Sequence, residues 1–107
     1  MPATDLELLC DAARAAGRLA LERRSGDLNV VRKADDSPVT GADLAVDALL
    51  RNLLSAARPD YGWLSEETPD DAHRLSRRHV FIVDPIDGTR SYIAGEDTWA
   101  HSLAVVE

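Results

Sequence analysis

Four consecutive apolar residues lead directly into an acidic turn, in the stretch Val80-Phe81-Ile82-Val83-Asp84-Pro85-Ile86-Asp87-Gly88-Thr89. A continuous apolar run of this kind is typical of a strand that is buried on both faces of a sheet. Pro85 keeps the residue before it out of the helical region, so we expect Asp84 to end the strand in an extended conformation. Asp87-Gly88 then predicts a sharp turn, because glycine adopts positive φ angles without steric cost. The chain is therefore expected to fold around a central strand with two carboxylates at its end.

Apolar residues at helical spacing predict two amphipathic helices. The first runs from Thr4 to Arg24, where Thr4 and Glu7 match a capping box. The second starts at Thr40 and runs to about Ala57. The residues expected on the buried faces are Leu6, Leu9, Cys10, Ala13, Ala16, Ala20 and Leu21 in the first helix, and Leu44, Leu50, Leu53, Leu54 and Ala57 in the second.

Further strands are expected at residues 28–32, 61–65 and 99–106, with turn chemistry at 34–38 and a polar surface loop at 68–78. Two helices and a set of short strands predict an α/β fold in layers, with the helices packed on a mixed sheet. A buried strand needs neighbours on both sides, and a domain rarely stops at the edge of its own sheet. We therefore expect residues 1–107 to be the N-terminal part of a single domain whose C-terminal part is absent.

Charge and composition narrow the function classes. The net charge of -7 argues against binding to nucleic-acid phosphates, and no apolar run is long enough to span a bilayer. The N-terminus lacks the basic start and apolar stretch of a signal peptide. Cys10 is the one cysteine and is interpreted as a small buried hydrophobe, and its isolation fits the cytoplasm. The basic stretch at residues 74–78 could attract an anionic substrate, and it is interpreted instead as a solvated charged loop.

The acidic turn has the residue types of a metal and phosphate site. Asp84 and Asp87 lie three residues apart across a bend, so their carboxylates can converge on one small volume. Carboxylate oxygens together with water are the ligands that Mg²⁺ prefers. The N–H groups of Gly88 and Thr89 would point outward at the start of a short helical segment, where such groups attract phosphate. The alternative is an ordinary turn, because Asp-Gly is a common turn pair.

Three further features favour a site over a turn. Glu66 directly follows an apolar strand and could reach the same pocket, whereas Glu67 is interpreted as part of a solvated turn. Asp43 lies three residues after Thr40, where its alternative role is the acid of a capping box. Thr89 places a hydroxyl next to the carboxylates, where an attacking water would need an orienting partner.

In this order and spacing the motifs resemble the inositol monophosphatase family of magnesium-dependent, lithium-sensitive phosphatases. The most specific parts are Asp-Pro-Ile-Asp-Gly-Thr at residues 84–89 and Ser-Glu-Glu at residues 65–67, with the Lys…Val-Thr…Asp segment of residues 33–43 in register before them. The resemblance runs from the first helix to the last residue. It implies the layered α+β sandwich of that family and the Mg²⁺-dependent hydrolysis of a small phosphate monoester.

The resemblance also implies how the metal ions are held. Glu66, Asp84 and the backbone carbonyl of Ile86 would bind a first Mg²⁺, and Asp84 with Asp87 would reach a second. One cation would lower the pKa of the nucleophilic water, and the other would neutralise the leaving alkoxide. No covalent phosphoenzyme is needed, which fits the lack of a convincing nucleophilic cysteine or histidine. His101 on the last strand is interpreted as structural.

Catalytic and phosphate-binding roles are implied for the residues around the turn. Thr89 would pair with Asp43 and polarise the water that Glu66 and the metal hold as this water attacks phosphorus. The N–H groups of Gly88 and Thr89 would bind the phosphate oxygens.

The sequence departs from the family pattern in one respect. The family closes its second metal site with an aspartate from a later Trp-x-x-x-Asp-type segment, and neither Trp63 nor Trp99 begins a matching one. We therefore expect weak cation binding and no turnover by the isolated chain. The alternative function is a metal- or phosphate-binding fragment without catalysis. A calcium-binding protein fits poorly, because no EF-hand spacing occurs.

Residues 90–95, where relatives with different substrates differ, match none of the subfamilies cleanly. The expected substrate is an inositol phosphate or a similar sugar-like monoester, with a 3′(2′),5′-bisphosphate nucleotide as the second choice. The expected partner is thus a small phosphorylated metabolite, with no nucleic acid and no membrane. A homodimer of the full-length form is left open.

Overall fold

Three helices and a mixed sheet make up the computed structural model, which describes residues 3–26, 28–33, 35, 37–70 and 72–107. The elements are α1 (Asp5–Arg24), β1 (Val31–Arg32), β2 (Pro38–Val39), α2 (Gly41–Ala57), β3 (Gly62–Ser65), a 3₁₀ helix (Ala72–Ser76), β4 (Val80–Asp87), α3 (Thr89–Ile93) and β5 (Ala100–Val106). The predicted α/β class is confirmed. The short α3 is the short helical segment expected after the acidic turn, and it follows the two long helices that the sequence predicts.

Both long helices begin at the capping boxes that the sequence indicates. Thr4 accepts a hydrogen bond from the N–H of Glu7, whose carboxylate accepts one from the N–H of Thr4. Thr40 and Asp43 exchange the same pair of bonds at the start of α2. Each box satisfies backbone N–H groups that have no helical carbonyl partner, and this fixes where the helix starts. Within the described ranges, no helix is both long enough and apolar enough to cross a bilayer.

The main sheet has the strand order β3-β4-β5. β3 pairs with β4 in parallel, with Ser65 opposite Val83, and β5 pairs with β4 in antiparallel. The residues that follow β3 therefore lie at the same edge of the sheet as the acidic end of β4. The pairing of β4 with β5 is irregular between Asp84 and Asp87, where the chain leaves the sheet for the turn.

The strand expected at residues 28–32 is shorter than predicted. β1 has two residues, both exposed, so no apolar burial extends the strand. It pairs in antiparallel with β2, which consists of Pro38, the last residue of the predicted turn, and Val39. Residues 34 and 36 of that predicted turn lie outside the described residues.

The core lies between the two long helices and one face of the sheet. α1 contributes alanines four residues apart, so that their side chains share one helical face. The buried hydrophobic residues are Ala12, Ala16, Ala20, Ala42, Val46, Leu50, Leu54, Phe81, Val83, Ile86 and Tyr92.

The buried faces of the helices differ from the prediction at several positions. Leu6 and Leu21 of α1 are 71% and 60% exposed, and Leu44 and Leu53 of α2 are 52% and 41% exposed. The small alanines form the buried face of α1, and these leucines fall outside the packed faces. Cys10 is exposed as well, contrary to the prediction, because it lies beside an open groove between α1 and β5.

β4 is buried on one face, and the prediction of burial on both faces is wrong. Phe81 and Val83 pack in the core with the helices, whereas Ile82 between them is 39% exposed. Side chains alternate between the two faces of a strand, and within the described chain the helices pack on the Phe81 face alone.

Candidate active site

A cavity of about 360 Å³ lies where β3 and β4 end and α3 begins. Most of the residues that the sequence predicts for the site line this cavity, namely Glu66, Asp84, Ile86, Asp87, Gly88 and Thr89. The remaining one, Asp43, is fully buried behind it on α2. The parallel pairing of β3 with β4 brings Glu66 to the acidic turn, because the two strands end at the same edge. We refer to this cavity as the acidic pocket.

Asp84 carries the largest electrostatic perturbation of the acidic pocket. Burial raises the pKa of its carboxyl group to about 6, and the negative charges of Glu66 and Asp87 add to the effect. Desolvation disfavours a charged carboxylate, and neighbouring carboxylates disfavour it further. Burial and the neighbouring carboxylates thus both disfavour the ionised form of Asp84.

The acidic residues surround the pocket without closing on one point. Asp87 and Glu66 are exposed, and Asp84 is half-buried. Among the described residues, no three histidine, cysteine, aspartate or glutamate side chains form a ready-made set of metal ligands. Asp84 and Asp87 therefore line the same pocket, as expected, but their carboxylates do not meet at one point.

Thr89 connects the acidic pocket to α2. Its hydroxyl oxygen lies 2.9 Å from Oδ1 of Asp43 and 3.0 Å from the carbonyl oxygen of Ile86. A hydroxyl group has one hydrogen and two lone pairs, so it donates to one of these acceptors at a time. The lone pairs of Thr89 remain able to accept a hydrogen bond from a molecule in the pocket.

Asp43 combines the two roles that the sequence left as alternatives. Its Oδ2 accepts hydrogen bonds from the N–H and the hydroxyl of Thr40, at 2.8 and 2.6 Å, as the acid of the capping box. Its Oδ1 faces Thr89. The helix cap thus fixes the carboxylate that Thr89 contacts, and the structural and functional interpretations of Asp43 are compatible.

Gly88 makes the turn from β4 into α3 and is the residue before the first helical position. Its φ angle of 89° lies in the left-handed region, which favours glycine. A Cβ atom at this position would also lie 2.7 Å from the carbonyl oxygen of Thr98. Both constraints explain why the turn needs glycine here. The first N–H groups of α3 have no carbonyl partner within the helix, as at any helix start.

Glu67 is buried, and the prediction of a solvated turn for it is wrong. Its side chain is 6% exposed and forms an ion pair with Lys33, whose Nζ lies 3.1 Å from Oε1. Burial raises the pKa of the Glu67 carboxyl group, and Lys33 opposes this shift. The partner lies 34 residues away in the sequence. The sequence offers one signal for this ion pair, namely that a second acidic residue directly follows Glu66.

Asp47 is a site residue that the sequence reasoning missed. This carboxylate on α2 is buried and accepts short hydrogen bonds from the hydroxyl groups of Ser65 and Thr68. Ser65 and Thr68 stand on either side of Glu66 and Glu67. Asp47 therefore holds both ends of the turn that carries the acids. A polar residue one position after Val46 on the buried side of α2 was the available signal.

His101 has a structural role, in agreement with its interpretation from sequence. Its Nδ1 lies 2.5 Å from the carbonyl oxygen of Pro85. Because a carbonyl can only accept a hydrogen bond, this nitrogen carries the hydrogen. The contact supports the backbone between Asp84 and Asp87 from the side of β5.

The sequence model of the inositol monophosphatase family matches residues 1–107 of this chain. The chain belongs to the inositol monophosphatase family. A curated histidinol-phosphatase from Chlorobaculum parvum is 42% identical over 104 residues, a match that covers 94% of this chain and 39% of that protein. A 3′-phosphoadenosine 5′-phosphate phosphatase from Mycobacterium leprae is 40% identical over 104 residues, covering 95% of this chain and 37% of that protein.

The fold is shared with solved structures of the family. The crystal structure of the extragenic suppressor protein suhB from Bartonella henselae matches with a TM-score of 0.86 and 34% sequence identity, covering 94% of this chain and 39% of that one. The chain thus spans about two fifths of the length of these relatives.

Proposed function

We propose that this chain forms the metal- and phosphate-binding part of a Mg²⁺-dependent phosphatase that hydrolyses a small phosphate monoester. The observation that carries the proposal is that Glu66, Asp84, Asp87 and Thr89 line one pocket, with Asp43 behind Thr89. Membership of the inositol monophosphatase family supports it. We also keep residues 1–107 as the N-terminal part of one phosphatase domain, since the relatives are longer.

Mg²⁺ fits the donor set of the acidic pocket. Its potential ligands are all oxygens, from Glu66, Asp84, Asp87 and the carbonyl of Ile86. Mg²⁺ seldom has an all-protein cage and usually keeps several waters, so carboxylates spread around an open pocket suit it. Burial, and after it the repulsion from Glu66 and Asp87, raises the pKa of Asp84, and a divalent cation beside the carboxylate would oppose both effects. Such a cation would supply acidified water and charge neutralisation at the leaving oxygen.

The residues beside the metal ligands orient the attacking water. When Thr89 donates its hydrogen to Asp43, its oxygen is left to accept a hydrogen bond from that water. Glu66 lies at the same pocket wall and can accept the second hydrogen of the water. Asp43 keeps the orientation of Thr89 because the capping box holds its carboxylate. The catalytic group of the proposal is thus Glu66, Thr89 and, behind Thr89, Asp43.

Phosphate binding is assigned to the start of α3. The N–H groups of Gly88 and Thr89 would bind the phosphate oxygens at the first turn of α3, where free backbone N–H groups favour negative charge. Lys33 and Arg90 also line the acidic pocket and add positive charge near a bound phosphate. These groups would hold the phosphoryl group while the water approaches phosphorus.

The proposed substrates are an inositol phosphate-like monoester or a 3′(2′),5′-bisphosphate nucleotide. The second is supported by the Mycobacterium leprae relative, which is named a 3′-phosphoadenosine 5′-phosphate phosphatase. Histidinol phosphate joins them as a test substrate because of the name of the Chlorobaculum parvum relative. The cytoplasm is the proposed compartment, and a homodimer of the full-length form remains a prediction.

Phosphate release tests the proposal. The purified 107-residue chain would be incubated with inositol 1-phosphate, adenosine 3′,5′-bisphosphate and histidinol phosphate, with and without Mg²⁺. Mg²⁺-dependent release that Asp87→Asn abolishes supports it and identifies the substrate. Release that is independent of Mg²⁺, or unchanged in Asp87→Asn, contradicts it.

A second candidate function is cation and phosphate binding without turnover. The observation that favours it is that, in the part of the chain that the structure describes, no three histidine, cysteine, aspartate or glutamate side chains form a ready-made set of metal ligands. A folded chain that binds Mg²⁺ and releases no phosphate would support this candidate. Asp87→Asn would then weaken Mg²⁺ binding while leaving the unfolding transition cooperative.

A further inference from the structure

A second cavity, of about 220 Å³, lies at the amino end of β3. It is lined by residues from α2, from the loop before β3 and from the 3₁₀ helix. Its ionisable lining includes four basic residues, Arg51, His73, Arg74 and Arg77, and no carboxylate among the described residues. We call this cavity the basic pocket. The charge of its lining is positive, whereas the net charge of the whole chain is -7.

The basic pocket is separate from the acidic pocket. Gly62 and Trp63, at the start of β3, line the basic pocket, whereas Glu66 and Glu67, after the end of β3, line the acidic pocket. Four steps of extended strand correspond to roughly 13 Å. None of the described residues lines both cavities. A ligand in the basic pocket would therefore bind without touching the proposed metal ligands.

Two of the arginines, Arg51 and Arg77, have no carboxylate partner among the described residues. Arg51 lies with its guanidinium carbon 5.8 Å from the centre of the Trp63 ring. Arg74 is different, because Asp70 accepts two hydrogen bonds from it, at 2.8 and 3.0 Å. That pair holds the Arg74 side chain in place, and the other two guanidinium groups remain for an anion.

The basic side chains are placed by close backbone packing. A Cβ atom at Gly62 would lie 2.9 Å from Cα of Arg74, so the 3₁₀ helix packs directly on the start of β3. The N–H of Arg77 donates a hydrogen bond to the carbonyl oxygen of Arg74, at 3.2 Å. The spacing between Arg74 and Arg77 is thus set by a hydrogen-bonded turn, and Arg51 approaches from α2. The backbone that carries Arg74 and Arg77 is thus fixed before binding, which reduces the conformational entropy that a ligand must offset.

We propose that the basic pocket binds a phosphate dianion, either as inorganic phosphate or as the phosphoryl group of a small ester. Guanidinium groups donate paired hydrogen bonds that match phosphate oxygens, and arginines from different directions suit a tetrahedral ion better than a flat carboxylate. The cavity is smaller than a typical pocket for a drug-sized ligand, which begins at about 300 Å³. A compact anion is therefore the ligand class that fits. This site is additional to the proposed function and does not depend on it.

Phosphate titration without divalent cations tests the proposal. The 107-residue chain would be titrated with inorganic phosphate at constant ionic strength, with the NMR signals of Arg51, Trp63 and Arg77 as the readout. A parallel titration with glycerol 3-phosphate compares a phosphate ester with inorganic phosphate. A titration with acetate shows whether a monoanion binds as well. We expect saturable shifts at the basic pocket with phosphate, and much weaker ones with acetate. Tighter binding of the ester would identify it as the preferred source.

Matched arginine variants make the test specific. Arg51→Gln and Arg77→Gln are each expected to weaken phosphate binding about tenfold, because each removes charged hydrogen bonds. Arg78→Gln is the control, since it removes the same charge from the neighbouring position, outside the pocket and paired with Glu107. It should change the affinity less than about twofold. The proposal is overturned if no saturable shift occurs, or if Arg78→Gln weakens binding as much as the two pocket variants.

Discussion

The hydroxyl group of Thr89 lies 2.9 Å from Oδ1 of Asp43, a residue 46 positions earlier in the chain. This hydrogen bond joins the turn after β4 to the first turn of α2. It makes a helix-capping carboxylate part of the wall behind the acidic pocket. The position of Thr89 therefore depends on the same bonds that start α2.

The Thr89–Asp43 contact predicts an energetic coupling between the two positions. Thr89→Val and Asp43→Ala should each destabilise the fold, and the double variant should lose about 1 kcal/mol less than the sum. Urea unfolding followed by circular dichroism measures the three free energies. Thr98→Val, at an exposed position, is the control and should stay within about 0.5 kcal/mol of wild type. Equal effects of Thr89→Val and Thr98→Val would contradict the contact.

Asp84 predicts a pH dependence of stability in the absence of divalent cations. Its pKa is about 6 in the folded chain against 3.8 as the ordinary value, so the folded state holds the proton more tightly. Stability should therefore decrease as the pH rises from about 4 to about 6, and stay low above that range. Asp84→Asn has no carboxyl group to titrate and should lack this component.

The stability difference between Asp84→Asn and wild type is the measurement. It should be small near pH 4 and largest, in favour of the variant, above pH 6. Asp60→Asn, on the exposed loop before β3, is the control for the loss of one carboxylate. A difference that does not change with pH would show that neither burial nor the neighbouring carboxylates raise the pKa of Asp84.

Asp47 is predicted to act through the turn that it holds. Asp47→Asn keeps the size of the side chain but replaces one acceptor oxygen with an NH₂ group, so whichever hydroxyl of Ser65 and Thr68 faces that group can no longer donate to it. We expect a loss of Mg²⁺ affinity of about tenfold, since residues that orient metal ligands typically have effects of this size. Calorimetric titration measures it, with Asp60→Asn as the control. A variant with lower stability and unchanged Mg²⁺ affinity would limit Asp47 to a structural role.

A comparison of Gly88 with Gly95 measures the steric clash that a Cβ atom at Gly88 would cause. Gly88 and Gly95 have φ angles of 89° and 79°, so alanine is strained at both, by about 1 kcal/mol. A Cβ at Gly95 has open space, whereas one at Gly88 would meet the carbonyl oxygen of Thr98. Gly88→Ala should therefore reduce the free energy of unfolding more than Gly95→Ala. Equal losses would show that the turn shifts without cost.

The sequence predicted correctly those elements that are determined by interactions between residues close together in the chain. The capping boxes at Thr4 and Thr40 start both long helices where expected, because the partners lie three residues apart. The acidic turn after β4 was likewise visible as consecutive residues. These features need no knowledge of what packs against them.

The errors occur where a distant segment decides the environment. Glu67 was predicted to be solvated, but its side chain is 6% exposed. It forms an ion pair with Lys33, which lies in the segment after β1. Ile82 was predicted to be buried, and it is exposed because the described helices cover the other face of β4. Asp47 belongs to no motif, and its partners on the turn after β3 appear only in the folded chain. Periodicity shows where a face is, but not what covers it.

Mg²⁺ binding tests the central claim most directly. Calorimetric titration of the 107-residue chain should show saturable Mg²⁺ binding that Asp84→Asn and Asp87→Asn each remove, while Asp60→Asn binds as wild type does. That result would place the cation at the acidic pocket, among the carboxylates that line it. Mg²⁺ binding that is unchanged by Asp84→Asn and Asp87→Asn, or absent from a folded wild-type chain, would contradict the claim that these carboxylates form a metal site.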